Sequence, residues 1–193
     1  MDNNFTSFMF KNRKFFSISA FAIPIVLKIF LHGRTSMLLL IVGLIIVIMG
    51  MALRIYSAGY LWGRHIVTKL EADILCTSGP YAYLRSPLYL GNFIVGVGIC
   101  ISLNEWYGYT LFLINFICMY SIIIPYEERF LQEKFGDVYI KYKANTRRLL
   151  PKLKGYKSSM KLNTNYKLAI WSEKFYLIIL VMIFIIFYLL FVM

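Results

Sequence analysis

Apolar residues gather into five blocks, and charged residues are swept into the segments between them. The blocks cover residues 15–31, 36–53, 87–103, 106–126 and 175–193. Each approaches the about 20 apolar residues (usable range roughly 17–25) that a helix needs to cross a bilayer. Pro24 and Lys28 interrupt the first, whereas the second is almost unbroken. No stretch alternates apolar and polar residues in the manner of a half-buried strand. The pattern predicts an all-α, polytopic membrane protein with about five transmembrane helices.

Basic residues orient these spans. Lys11, Arg13 and Lys14 precede the first block, and Arg54, Arg64, Lys69 and Arg85 fall between the second and third. Twelve more, from Arg129 to Lys174, separate the fourth from the fifth, while the opposite side receives Arg34 and Lys28. By the positive-inside rule this predicts five crossings with a cytoplasmic N-terminus. The basic start lacks a small-x-small cleavage site and a second span follows at once, so the first block reads as a retained span. Asn104-Glu105-Trp106 is too short for anything but an antiparallel hairpin, so segments 54–86 and 127–174 are expected to meet at one membrane face.

Composition agrees. Of 193 residues, 60% are hydrophobic, 18% aromatic and 16% charged, against about 45–50% apolar and 25% charged in soluble domains. The net charge of +12 lies between apolar blocks, so it points to a membrane surface and not to nucleic acid. Cys76, Cys100 and Cys118 form no CxxC pair, and His32 and His65 are too few for a metal site; no metal is expected. No strand leads into a glycine-rich turn, which excludes a Rossmann nucleotide site.

Three polar clusters carry candidate chemistry. In Gly79-Pro80-Tyr81-Ala82-Tyr83-Leu84-Arg85-Ser86-Pro87-Leu88-Tyr89-Leu90-Gly91, Ser86 and Pro87 read as the N-cap and first residue of a helix whose N–H groups favour an anion. Gly91, Gly98 and Ser102 share one face of that helix, suited either to helix packing or to a planar cofactor. Ser36, Gly43, Gly50 and Ser57 make a similar stripe that reads as packing. In Pro125-Tyr126-Glu127-Glu128-Arg129, adjacent carboxylates diverge by about 100° on a helix. One is expected to face the site and the other to pair with Arg85 or a nearby arginine. Finally, Gly136 is expected to end a helix, with Tyr139 and Tyr142 on one face of the next and Arg147-Arg148 beyond.

Together these clusters resemble the isoprenylcysteine carboxyl methyltransferase family and its phospholipid methyltransferase relatives. The resemblance rests on Gly79-Pro80-Tyr81, Arg85-Ser86-Pro87-Leu88-Tyr89-Leu90-Gly91, Glu127-Glu128, Phe135-Gly136-Asp137-Val138-Tyr139-Ile140-Lys141-Tyr142 and Pro151. Arg54-Ile55-Tyr56-Ser57-Ala58-Gly59 also looks like the stretch after span two in bacterial members. The resemblance makes residues 50–151 a methyltransferase-like core and implies a cytoplasmic helical cap over the transmembrane helices; beyond it, 152–174 reads as a basic linker and 175–193 as a C-terminal transmembrane helix. Ser86 stands where the family commonly has His. The resemblance implies methyl transfer from S-adenosyl-L-methionine to a lipidic or prenylated acceptor. O-methylation of a carboxylate is favoured, with amine N-methylation the other option. It places Tyr81, Arg85, Ser86, Pro87, Tyr89, Glu127, Glu128 and Tyr139 at the cofactor, together with Gly96 and Gly98 by likeness to a Gly-x-Gly of the phospholipid enzymes. Arg147 or Arg148 would orient a carboxylate, and Glu128 or its neighbour would serve an amine. An NADPH-dependent membrane reductase and a non-catalytic scaffold are the alternatives. Anionic lipid at 127–174 and a bacterial inner membrane complete the expectation.

Overall fold

The computed structural model describes residues 3–31, 35–61, 74–157 and 163–191. His32, Arg34, Arg64, His65, Lys69 and Lys161 lie outside the described residues. Among the described residues six α-helices form: α1 (Asn3–Lys11), α2 (Arg13–Phe30), α3 (Met37–Leu61), α4 (Pro87–Leu103), α5 (Trp106–Asn145) and α6 (Tyr166–Phe191), with a 3-10 turn at Gly79–Ala82. Among the described residues, β-structure is limited to one isolated bridge between Leu84 and Arg147. The helices α3 and α5, and α6 over Tyr166–Leu189, are long and apolar enough to cross a membrane. Phe21–Phe30 within α2 and Pro87–Leu103 are shorter apolar helices.

Two helices depart from the expected bounds. The second span continues to Leu61 instead of ending at 53, because Arg54 is neutralised inside the bundle by Glu173 at 2.7 Å. The last helix starts at Tyr166, not 175, so Lys167 and Lys174 are helical and the basic linker is shorter. Asn165 is the physical reason: its side-chain oxygen accepts from the Leu168 N–H at 3.1 Å, an asparagine cap that starts the helix early.

The α3–α4 pair packs most closely. A Cβ on Gly98 would lie 2.7 Å from the Gly43 carbonyl oxygen and 2.9 Å from the Val47 nitrogen; one on Gly50 would lie 2.8 Å from the Val95 nitrogen. The two small-residue stripes are thus one seam, in which backbone meets backbone. Beside it runs an aromatic stack, with Tyr89 4.6 Å from Tyr120, Tyr120 4.4 Å from Phe116 and Phe116 5.1 Å from Phe93 between ring centres.

Ion pairs and buried hydrogen bonds fix the helix directions. Arg13, at the start of α2, lies 3.6 Å from Glu127, and Arg54 near the end of α3 meets Asn92 near the start of α4. At the opposite end, the fully buried Lys28 donates to the Leu103 carbonyl and lies 3.3 Å from Glu105. The starts of α2, α4 and α6 therefore share one end of the bundle with the end of α3 and the middle of α5. Lys28 satisfies a carbonyl at the close of α4 that the helix itself cannot. Lys28→Leu is expected to lower stability by about 1–3 kcal/mol, the cost of stranding a buried acceptor. Denaturant unfolding in detergent micelles measures it, and an unchanged midpoint would contradict that role.

Candidate functional site

The polar end of the bundle is built on a sharp turn. Gly79 adopts φ +59°, and a Cβ there would strike the Tyr60 ring. The following 3-10 turn buries Tyr81 and delivers the chain to Ser86, the N-cap of α4, with Pro87 at the first helical position. The expected side-chain cap is not made: the Ser86 hydroxyl forms no capping bond. Its own N–H donates to the Arg148 carbonyl at 3.0 Å and holds the residue at φ −126°, ψ 58°, away from the extended geometry that aims a cap hydroxyl into the helix.

That bond belongs to a seam between two distant segments. The N–H of Arg85 donates to the Arg147 carbonyl (2.8 Å), that of Lys152 to Tyr83 (3.0 Å) and that of Tyr156 to Ala82 (2.7 Å). Residues 146–156 thus lie along 82–86, and the meeting of the two polar segments expected from the short hairpin occurs. Gly136 permits it. At φ 51°, ψ −128° it breaks the helical path of α5, the conformation for which glycine is suited. Beyond it, Tyr139 and Tyr142 turn inward from one face and pack with Leu75, and the Tyr142 hydroxyl donates to the Tyr81 carbonyl at 2.7 Å.

Glu128 holds this returning segment in place. Arg85 Nε donates to its Oε1 at 3.0 Å, Arg148 donates from Nε to Oε1 and from Nη2 to Oε2 at 3.0 Å each, and Lys143 Nζ lies 3.6 Å away. Arg85 Nη1 also donates to the carbonyls of Lys143 (2.8 Å) and Thr146, closing the end of α5. A buried carboxylate with this many charge-assisted donors is a fixed junction. The Glu128 carboxylate in turn holds the Arg148 guanidinium above its ordinary range, chiefly through their hydrogen bonds.

Glu127 faces elsewhere, as adjacent helical positions require. It accepts from the Tyr89 hydroxyl at 2.6 Å and lies 3.6 Å from Arg13. The two carboxylates therefore divide their roles, with Glu128 on the arginines.

Two phenols here lack partners. The hydroxyls of Tyr81 and Tyr139 are buried without a hydrogen bond, although every other part of their side chains is packed. Burial, reinforced by the nearby Cys76, pushes the Tyr81 phenol well above its ordinary value, so it is a neutral donor at any physiological pH. Around the Glu128 junction, an open cleft of about 460 Å³ is lined by Pro125, Glu128, Arg129, Gln132, Glu133, Lys143 and Arg148. Its size is within the about 300–1,000 Å³ of small-molecule sites.

The structure thus brings Tyr81, Arg85, Ser86, Pro87, Tyr89, Glu127, Glu128, Tyr139 and Arg148 to one end of the bundle. Arg147 contributes its carbonyl to the seam and is exposed. Gly96 and Gly98 are set apart from this group: Gly96 faces the Phe112 ring, and Gly98 the α3 backbone. One feature escaped the sequence reading, namely the buried Arg54–Glu173 pair. A lone glutamate seven positions into an apolar helix, Glu173 in α6, was its available signal.

These features define a helical integral membrane protein with a charged, folded-back site at one end of its bundle. The chain belongs to the phospholipid methyltransferase family, which its residues 35–138 match. It is similar to a protein-S-isoprenylcysteine O-methyltransferase of Saccharomyces cerevisiae, 32% identical over 121 residues that cover 61% of this chain and 51% of the yeast protein. The human protein of that name is 31% identical over 61% of this chain and 43% of its own length. The cobalt-zinc-cadmium resistance protein CzcN of Cupriavidus metallidurans is 33% identical over 67% of this chain and 59% of its own. The chain spans about half the length of the curated relatives it matches. No solved structure matches it. Tyr139, Arg147, Arg148 and the whole of α6 lie beyond the family match.

Proposed function

We propose that this protein transfers a methyl group from S-adenosyl-L-methionine to a prenylated or otherwise lipidic acceptor, a carboxylate in preference to an amine, at the cytoplasmic face. The observation that carries the reading is the pair of buried, unpartnered hydroxyls of Tyr81 and Tyr139 in a chain of this family. Buried polar groups are almost always paired, and the hydroxyl-rich, zwitterionic cofactor offers donors and acceptors to both. S-adenosylmethionine supplies, when bound, an electrophilic methyl on its sulfonium.

The chain's own residues do the rest. Tyr81 and Tyr139 bind, while Tyr89 and Arg13 hold the Glu127 carboxylate beside the arginine-clamped Glu128. Arg85, Ser86 and Pro87 set the wall. Glu128, saturated by cations, clamps the returning segment; it is not a base. Displacement at a methyl needs alignment and a dry enclosure more than acid–base help. The exposed Arg147 guanidinium is the group we assign to an acceptor carboxylate, by bidentate hydrogen bonds. Lys141, Lys152, Lys154 and Lys157 draw the segment to anionic lipid, at about 1 kcal/mol per residue near the surface. Five crossings in a bacterial inner membrane, N-terminus inside, agree with the shared end of Arg13, Arg54 and Arg85. The matched methyltransferases favour this reading over a reductase or an inactive scaffold.

Calorimetric titration of the detergent-purified protein with S-adenosylhomocysteine tests it. Micromolar binding is expected, weakened about 3–10-fold in Tyr81→Phe and in Tyr139→Phe, as one hydrogen bond each implies. No binding by the folded protein would sink the proposal.

A further inference from the structure

The Arg54-Ile55-Tyr56-Ser57-Ala58-Gly59 motif and the last helix have no part in the site described so far. We propose that they belong to it through one chain of contacts: Glu173 of α6 is a positioning residue that sets Tyr89, and through it Glu127. The inference rests on the methyltransferase reading for what Glu127 serves, but not for the coupling itself.

Glu173 accepts two hydrogen bonds from Arg54 Nη2, at 2.9 and 2.7 Å, and the two side chains are only 8% and 11% exposed. The Tyr176 ring lies 4.8 Å from the Arg54 guanidinium carbon. Within a helix bundle of this hydropathy, neither charge can part from the other without stranding a buried ion. Arg54 Nη1 donates to the Asn92 side-chain oxygen. That leaves the Asn92 amide nitrogen to donate to the Tyr120 hydroxyl, at 2.7 Å. The Tyr120 ring packs 4.6 Å from that of Tyr89, whose hydroxyl donates to Glu127 at 2.6 Å. Four helices thus hand one orientation from α6 to the site: α6 sets Arg54, Arg54 sets which way Asn92 faces, Asn92 fixes the Tyr120 ring, and the ring supports Tyr89. Asn92 is the directional element. Its amide has one acceptor and one donor end, so a guanidinium clamped on one end commits the other.

The test uses the full chain in detergent. Residue 89 is replaced by 3-fluorotyrosine, and its fluorine resonance is recorded in the parent, in Glu173→Gln and in Tyr120→Phe. Glu173 does not touch residue 89, so a purely anchoring α6 leaves the resonance unmoved. We expect a shift in both variants. Tyr120→Phe keeps the ring and removes only the hydroxyl that Asn92 reaches, so an unmoved resonance in it breaks the chain at that link even where Glu173→Gln fails to fold. Methylation of a farnesylated cysteine is measured in parallel without the fluorine label. In Glu173→Gln, kcat should fall about tenfold, as small displacements near a reacting centre do, while KM for S-adenosylmethionine holds. Adding Tyr120→Phe should cost nothing more, because the two changes cut one chain. An unmoved resonance in both folded variants, or strictly additive losses, overturns the proposal. Fluorine shifts without any methylation by the parent would instead overturn the methyltransferase reading and leave the coupling standing.

Discussion

Glu128→Ala is expected to release the returning segment and abolish measurable S-adenosylhomocysteine binding. Removing this carboxylate leaves the buried Arg85 guanidinium with carbonyl acceptors only, and Arg148 and Lys143 without their shared anion. Breaking a buried ion pair by deleting one partner costs about 3–5 kcal/mol. The loss is concentrated where 146–156 meets 82–86, because the rest of the bundle is held by separate packing. Limited proteolysis should therefore cut within 146–157 in the variant and spare it in the parent. Glu128→Gln is expected to fall between the two, since the amide oxygen still accepts one arginine hydrogen bond. Should Glu128→Ala bind S-adenosylhomocysteine as the parent does, the clamp would be irrelevant to the site, and the assignment of Glu128 would be wrong.

Gly98→Leu should prevent the bundle from assembling. Even a methyl at this position meets the Gly43 carbonyl and the Val47 nitrogen, backbone atoms that cannot swing aside. Overpacking typically costs about 1–3 kcal/mol, and a side chain of four carbons driven into a backbone-to-backbone contact lies at or beyond the top of that range. Gly98→Ala should already lower the unfolding midpoint. At Gly96 the obstacle is the Phe112 ring, a side chain that can tilt, so Gly96→Ala should be the milder change. Cofactor affinity separates packing from binding. If Gly98 serves the helix seam, folded Gly98→Ala keeps its affinity for S-adenosylhomocysteine while losing stability. Lost affinity at unchanged stability would return Gly98 to the cofactor.

Much of the site could be read from order and chemistry. Glu127 and Glu128 are adjacent, so a helix had to send them in different directions, and the arginine partner was named by charge alone. Gly136 was recognisable as a break, a glycine closing one helix before the Tyr139 and Tyr142 face of the next. Ser86 shows the limit of such reading. Its type and the following proline mark an N-cap, and it occupies one, yet its hydroxyl does not cap, because a carbonyl from residue 148 claims its backbone. Arg54 was counted as a charge outside the bilayer, and its burial could not be foreseen without knowing that Glu173, more than a hundred residues away, would arrive beside it.

The sequence by itself determined the elements and the ends they share. Block lengths, the hairpin at 104–106 and the placement of lysine and arginine are local or additive properties, and they dictate helices, their alternation and the side on which charge collects. Only the tertiary structure decided which small-residue faces meet, which carboxylate takes the arginines of the returning segment and which takes Tyr89 and Arg13, and that α6 reaches the polar end through Arg54 and Asn92. Those outcomes depend on distances between residues remote in the chain, where a buried charge or amide takes whichever partner the packing brings within about 3 Å.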